Sequence, residues 1–491
     1  MKNKIIFLLF FIGFFILTVS LKKTDNVNVS PQSQECIDCH KSITPGIVAD
    51  WEMSLHSKIT PAFAKVKPEL ERKISSQNIT ETLANYAVGC YECHSSNVLN
   101  HKDNFEHFGH KINIIVSPND CATCHESEVK EYQHSKKGYA LDNLRKNPIY
   151  SVLVSTYTDI KNLDKNNKLK SRMSENSRNQ SCYACHGTEI TVSGTKKTET
   201  DLGEIEVPVL ENWPNMGVGR INPDGSRGAC TSCHPRHSFS IEIARKPSTC
   251  GQCHLEPDVP AYNVYKESKH GSIYENFEKK MNFSSVPWVV GKDFTAPTCA
   301  TCHNSLVVDN ENNIIAKRTH DFGSRLWIRI FGLPYAHNQP KSGNTFDIKN
   351  TDNQSLPTTF ANVPAKDFLI NDNEVAERKN MMGKVCKSCH GTSWVNSHFT
   401  NLDSTISISN EMTRTATDLV SLAWKNKIAN PANPFDEPIE QQWVLSWIFY
   451  ANSIRYAAAM SGPDYAGFKN GWFDFSNNIQ KMQSTLNQKK K

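Results

Sequence analysis

CTSCHPRHSFSIEIARKPSTCGQCH, residues 230–254, holds the pattern Cys-x-x-Cys-His twice, at Cys230/Cys233/His234 and Cys250/Cys253/His254. On either side the pattern recurs at Cys36/Cys39/His40, Cys90/Cys93/His94, Cys121/Cys124/His125, Cys182/Cys185/His186, Cys299/Cys302/His303 and Cys386/Cys389/His390. The eight motifs use all 16 cysteines of the chain. This is the attachment pattern of c-type haem: two thiols add to the vinyl groups and the next histidine reaches the iron as proximal ligand. Zinc sites built from two Cys-x-x-Cys pairs leave the histidine after every second cysteine unexplained. Disulfides between motif neighbours leave it unexplained too. The chain is therefore expected to carry eight covalently attached haem c groups, and its chemistry to be redox.

The composition agrees with a haem-packed interior. Only 38% of the 491 residues are hydrophobic, a thin supply for one conventional core of this length. Large flat apolar cofactors supply the missing core material. The formal charge of +5 invites no nucleic-acid reading, because haem propionates offset it and take up Lys and Arg partners. The Lys489–Lys491 tail reads as a solvated terminus.

At the N-terminus, Lys2 and Lys4 precede an apolar run from Ile5 to Val19, the layout of an export signal. The run is shorter than the roughly 20 residues of a usual membrane span. Residues 1–21 are expected to be a cleaved signal, with an uncleaved membrane anchor as the alternative. Either places the bulk of the chain in the periplasm or another extracytoplasmic space.

Residues 30–397 contain all the motifs, unevenly spaced, so no solenoid repeat is implied. Asn344–Pro364, rich in Asn, Asp, Thr and Pro, reads as a surface loop. Residues 398–491 read as a C-terminal helical region. Met412, Ala416, Leu419, Val420, Ala423 and Trp424 follow helical spacing, as do Trp443, Trp447, Tyr450, Ile454 and Ala458. Pro438 and Gly462-Pro463 punctuate the second run. Ile112–Val116 and Leu306–Val308 are the strand candidates. The expected fold class is mainly α: a multihaem cytochrome c with little β, a haem-packed core and long C-terminal helices.

Eight of the 18 histidines belong to the motifs, which leaves ten. A second imidazole is the expected sixth ligand at most irons, giving low potentials. His56, His110, His134, His237, His270, His320 and His398 are the favoured candidates. His101, His107 and His337 complete the supply, so the count alone leaves open whether any iron keeps a free face.

The run Trp213-Pro214, Gly217-x-Gly219-Arg220, Asn222-Pro223-Asp224-Gly225-Ser226, then residues 230–254, Pro257-Asp258, Tyr265 and Ser268-Lys269-His270-Gly271 resembles the octahaem hydroxylamine oxidoreductase family. The likeness extends over essentially the whole mature chain. It implies that the haem held by Cys182, Cys185 and His186 is catalytic, with an open distal face, and that the other seven are bis-histidine relays. It matches Asp258 to the family's pocket aspartate and Tyr335 to its pocket tyrosine. Val259 stands where the family has a histidine, a departure that removes one proton acceptor. Oxidising members carry a tyrosine from a neighbouring subunit bound to the catalytic haem; Tyr456 and Tyr465 are the C-terminal candidates.

The resemblance implies a homotrimer acting on small nitrogen compounds. The expected direction is reduction of nitrite to hydroxylamine or ammonium, with a membrane quinol-oxidising cytochrome c as electron donor. Hydroxylamine oxidation is the alternative. A conduit with eight fully ligated haems and no substrate is the other class.

Overall fold

The computed structural model describes residues 27–200 and 202–488, so the expected export segment 1–21 and the Lys489–Lys491 tail lie outside the described residues. The chain is 48% helical and 12% strand, a mainly α fold. Many helices are short and begin on proline, as at Pro31, Pro45, Pro61, Pro118, Pro148 and Pro247. Proline fits the first turn because its fixed φ is helical and its missing N–H is not needed there. Side-chain caps fix several starts. Ser30 accepts from the Ser33 amide, Ser117 from Asn119 and Asn371 from Glu374.

The C-terminal helices form the main apolar cluster. The helix Thr392–Lys425 buries Val395, Phe399, Leu402, Ile406, Ala416, Val420 and Ala423 along one stripe. It packs against Pro438–Val444, Ala451–Met460 and Trp472–Gln488. Trp443, Trp447, Phe435 and Phe475 sit fully buried between them. The expected boundary at 397/398 falls inside this long helix. Between Pro438 and Met460 the helix contains a π turn, Leu445–Tyr450, and it ends with Ser461 in the left-handed conformation before Gly462. A π turn shifts the register of the helix beyond it. Here that brings Asn452 and Tyr456 towards Asp258.

Two sequence readings need correction. The segment 344–364 is irregular but not a surface loop. Ile348, Leu356, Thr358 and Thr359 are buried, and Asn147 donates to the Ser355 carbonyl at 2.8 Å. Its Asn and Thr residues satisfy the backbone inside the protein instead of meeting water. The largest strand pair, Thr191–Thr200 with Gly203–Glu211, was not anticipated. Its signal was the alternation Glu204-Ile205-Glu206-Val207 in a largely exposed ribbon. The short candidates fared better: Ile112 lies in His110–Asn113, and Val307–Val308 pairs with Trp288–Val289.

Candidate haem sites and the motif-four pocket

Several motifs are single helical turns: Cys90–His94, Cys182–His186 and Cys299–His303. Positions i, i+3 and i+4 share one helix face, so a turn presents both thiols and the imidazole to the same side. None of the 16 cysteines is in a disulfide, and each keeps accessible surface.

The proximal rings are held in one tautomer. Nδ1 of His94 donates to the Asn113 carbonyl at 2.8 Å, that of His186 to Ala140 at 3.2 Å and that of His303 to Phe322 at 3.2 Å. His40 Nδ1 lies 2.9 Å from the Thr44 hydroxyl. A histidine whose Nδ1–H is committed to a carbonyl offers Nε2 to a metal.

Three free histidines stand opposite motif histidines. Ring centres are 6.1 Å apart for His40 and His107, 6.3 Å for His56 and His125, and 6.0 Å for His270 and His390. Two imidazoles on opposite faces of one iron, each with a metal–nitrogen bond of about 2 Å, have ring centres about 6 Å apart. The residues therefore fit bis-histidine haem. His237 lies beside His94; burial and then that ring lower its basicity. His320 lies beside His234, and burial with that ring lowers it to about 4.

Other expected ligands are placed differently. His110 Nε2 bonds the Glu35 carboxylate at 2.8 Å, and its hairpin neighbour His107 faces the first motif instead. The two residues sit opposite each other in the tight ribbon 104–113, and only the fold decides which turns inward. His134 Nδ1 donates to the Lys130 carbonyl at 2.8 Å. His398 stacks on Trp394, which stacks on His390, so it flanks motif eight without facing it as His270 does. His101 is fully buried between Asp103 and Asp120, an ion cluster.

The thiols of different motifs also meet. Cys36 lies against Cys90, Cys121 against Cys230, Cys185 against Cys253 and Cys250 against Cys299. Cys93 feels Cys124, Cys233 feels Cys250, and Cys302 feels Cys386. These neighbours link the motifs in the order one, two, three, five, six, seven, eight, with four joined at six.

Cys39 and Cys389 differ in exposure. They belong to motifs one and eight, the two ends of this series. Cys389 is exposed, unlike the other 15 cysteines, and its Sγ lies 3.8 Å from the Ser388 hydroxyl. Cys39 is half-buried at the end of the helix Pro31–Ile43, where its carbonyl accepts from the exposed Ser42 hydroxyl at 2.9 Å. The physical reason is position: an end motif has a neighbouring motif on one side and solvent on the other. In motif one it is Cys36, not Cys39, that turns towards the next motif. Both residues keep the attachment spacing, and of the two only Cys389 is exposed.

Motif four has its own surroundings. Burial and then the cations Lys137 and Arg329 lower His186 to about 4. Asp258 acts on Cys182 and Cys185, and burial raises its own carboxyl above the ordinary range. Asn452 donates to the Asp258 carbonyl at 3.3 Å. Tyr456 lies among Arg329 and Asp258, its phenol raised by burial. Arg329 Nε donates to the Phe331 carbonyl at 3.0 Å.

Tyr335 is not part of this group. It is fully buried in the C-terminal packing, and its hydroxyl donates to the Phe360 carbonyl at 2.7 Å. Tyr465 donates to Glu256 at 2.8 Å. Sequence reasoning passed over Arg329, though a lone cation in the apolar run Trp327-Ile328-Arg329-Ile330-Phe331 was a usable signal.

Two family models match. The cytochrome c554 and c-prime model covers residues 35–112 and 120–206. A model described as seven times multi-haem cytochrome CxxCH covers 222–326. A solved structure described as a hypothetical multiheme protein is 43% identical, with 95% of this chain and 97% of that one aligned and a TM-score of 0.89. The chain is a multihaem cytochrome c. The cytochrome thus binds haem c covalently through its Cys-x-x-Cys-His motifs. It is also 25% identical, over 397 residues, to the probable nitrite reductase-hydroxylamine oxidoreductase fusion protein of Kuenenia stuttgartiensis. That alignment takes in 77% of this chain but only 36% of the longer relative. The Kuenenia stuttgartiensis reducing HAO-like protein complex shares the fold, with a TM-score of 0.60 at 18% identity over 93% of this chain and 85% of that one.

Proposed function

We propose that this cytochrome carries eight haem c groups and reduces nitrite to hydroxylamine or ammonium at the haem of Cys182, Cys185 and His186. The observation that carries the reading is the convergence of Asp258, Arg329 and Tyr456 on motif four. The haem there, when bound, supplies an iron that exchanges electrons with a small nitrogen ligand.

The chain's own residues supply the rest. Nitrite is an anion and hydroxylamine is neutral near pH 7, so the Arg329 cation favours nitrite. Asp258, raised by burial, keeps a proton at higher pH than a surface carboxyl and can hand it on. The Tyr456 phenol, raised in the same way, stays protonated as a hydrogen-bond donor. The other seven haems relay electrons from a donor, for which a membrane quinol-oxidising cytochrome c is chemically suited. Residues 1–21 direct the chain to the periplasm, and the assembly is a homotrimer.

The relative named as a nitrite reductase-hydroxylamine oxidoreductase fusion is consistent with either direction. Hydroxylamine oxidation is the alternative, and it calls for a tyrosine of a neighbouring subunit covalently joined to the motif-four haem. Mass spectrometry of haem peptides decides this: a link at Tyr456 or Tyr465 reverses the direction, and its absence supports reduction.

Asp258→Asn is the main test. Loss of one general acid lowers turnover by about 100-fold. Haem content and the ferric spectrum should not change. The donor form exists only below the carboxyl's folded pKa, so wild-type turnover falls as pH rises through it, and the variant lacks that limb. An unchanged rate removes Asp258 from the reaction. A wholly low-spin ferric spectrum, indifferent to cyanide and nitrite, leaves only a conduit.

A further inference from the structure

The segments that present His56 and His270 share a local design that occurs a third time. They read Trp51-Glu52-Met53-Ser54-Leu55-His56-Ser57 and Tyr265-Lys266-Glu267-Ser268-Lys269-His270-Gly271. The third is Tyr132-Gln133-His134-Ser135-Lys136-Lys137-Gly138. In each, a helix ends at the serine, whose amide donates to the aromatic residue's carbonyl: 2.9 Å to Trp51, 3.1 Å to Tyr265 and 3.0 Å to Tyr132. The serine is extended every time, with ψ of 162°, 162° and 166°. Its hydroxyl then accepts from the amide three residues on, at 3.3 Å for Ser57, 3.2 Å for Gly271 and 3.4 Å for Gly138. At both Gly138 and Gly271 a Cβ would strike the aromatic residue's carbonyl oxygen, so both turns are tight.

Two residues beyond the serine, the side chain projects toward a motif histidine. His56 faces His125 and His270 faces His390. At the third copy the projecting residue is Lys137, and its Nζ lies 3.4 Å from Nε2 of His254. Two nitrogens bound to opposite sides of one iron are about 4 Å apart, from two bonds of about 2 Å. Nε2 is the atom a proximal histidine gives to iron, so Lys137 aims at the place the metal takes. Among the described residues no carboxylate is paired with Lys137; its Nζ also lies over the Phe322 ring at 5.2 Å and near His186, His303 and the thiols of Cys233, Cys250 and Cys253.

We propose that the Lys137 amine is the sixth ligand, opposite His254, of the haem attached at Cys250 and Cys253. The bond uses the nitrogen lone pair, so ligation releases one proton from the ammonium and changes no oxidation state. Motif six is the junction where thiols of motifs four, five and seven meet. An amine in place of an imidazole sets that junction apart from its bis-histidine neighbours, because axial-ligand identity is a main control of haem potential. The proposal rests on haem attachment at motif six and is independent of the direction of catalysis.

The test is spectroscopic and uses the purified full-length holoprotein. Near-infrared magnetic circular dichroism of the ferric protein distinguishes lysine–histidine from bis-histidine low-spin haem by the position of the charge-transfer band. One lysine–histidine haem per chain is expected. Lys137→Ala should gain one high-spin haem per chain at unchanged haem mass, and added imidazole should convert it back to low spin. Lys137→His should stay low-spin while losing the lysine–histidine band. A wild-type spectrum without that band overturns the proposal. So does an Ala variant of unaltered spin state, which would make Lys137 a partner of propionates or of His254 alone. If the Ala variant fails to mature, the wild-type band still decides.

Discussion

Six of the eight motifs lie before residue 260, and among the described residues that stretch adds no fully buried side chain to the apolar clusters of the molecule. Among the described residues only Ile149, Tyr150, Val152 and Leu153 touch those clusters from it. After residue 260 there are two motifs and most of the buried apolar mass, including Trp288, Trp443 and Trp447. The earlier stretch is held instead by polar groups. Ser30 and Ser33 both bond Glu92, at 2.5 and 2.6 Å, and buried Arg220 donates to Asn222 and to the Asn215 carbonyl. The two regions therefore depend on the cofactor to different degrees. Hydrogen-bond networks fix geometry, but each bond adds only about 1 kcal/mol net. Buried apolar area is the main favourable term in folding, and in the first region porphyrin has to provide it.

Withholding haem puts this contrast under the greatest stress. In a chain produced without haem attachment, backbone amides of residues 31–260 should exchange hydrogen at close to unfolded rates. Those of 400–486 should keep measurable protection. Equal protection of the two regions would show that the contrast is wrong.

A smaller effect probes it from the apolar side. Trp447→Ala removes a fully buried indole from the C-terminal cluster and should cost about 4 kcal/mol. Denaturant unfolding of the holoprotein, followed by the remaining tryptophans, measures this. The haem Soret band should lag behind that transition.

The polar side is tested at His101. Burial opposes its charge, yet Asp103 and Asp120 outweigh that and raise it from 6.5 to about 10. Asp224 stands nearby, 4.0 Å from its Nε2. The folded pKa lies above the unfolded one. The cluster's contribution is therefore complete below about 6.5, declines as pH rises, and is gone above about 10. His101→Gln leaves buried carboxylates without their cation and should cost about 3 kcal/mol near neutrality. That loss should shrink as pH approaches 10. A loss that does not vary with pH would mean the ring is held neutral.

How much was legible follows the same division. The attachment residues and the amphipathic stripes of the C-terminal helices were readable, because both are fixed spacings along one element. Their burial was not: the same spacing places Cys185 against a second motif and leaves Cys389 at the surface. The strand ribbon 191–211 and the burial of 344–364 were not readable either, since their residues are polar, and polarity ordinarily signals solvent. Asp258 was found by resemblance, and the fold keeps it beside motif four. Tyr335, found in the same way, bonds Phe360 instead, while Tyr456 reaches the pocket after a π turn that no spacing rule anticipates.

The amino-acid order alone determined what must be bound and by which side chains, since thioether attachment and the proximal histidine require residues one helical turn apart. Tertiary structure decided which distant side chains come near them: His107 and not His110 faces His40, and Lys137 comes within 3.4 Å of His254. The physical reason is that opposing groups must reach one small point in space from separate elements, and the chain's order does not encode that convergence until the elements have packed.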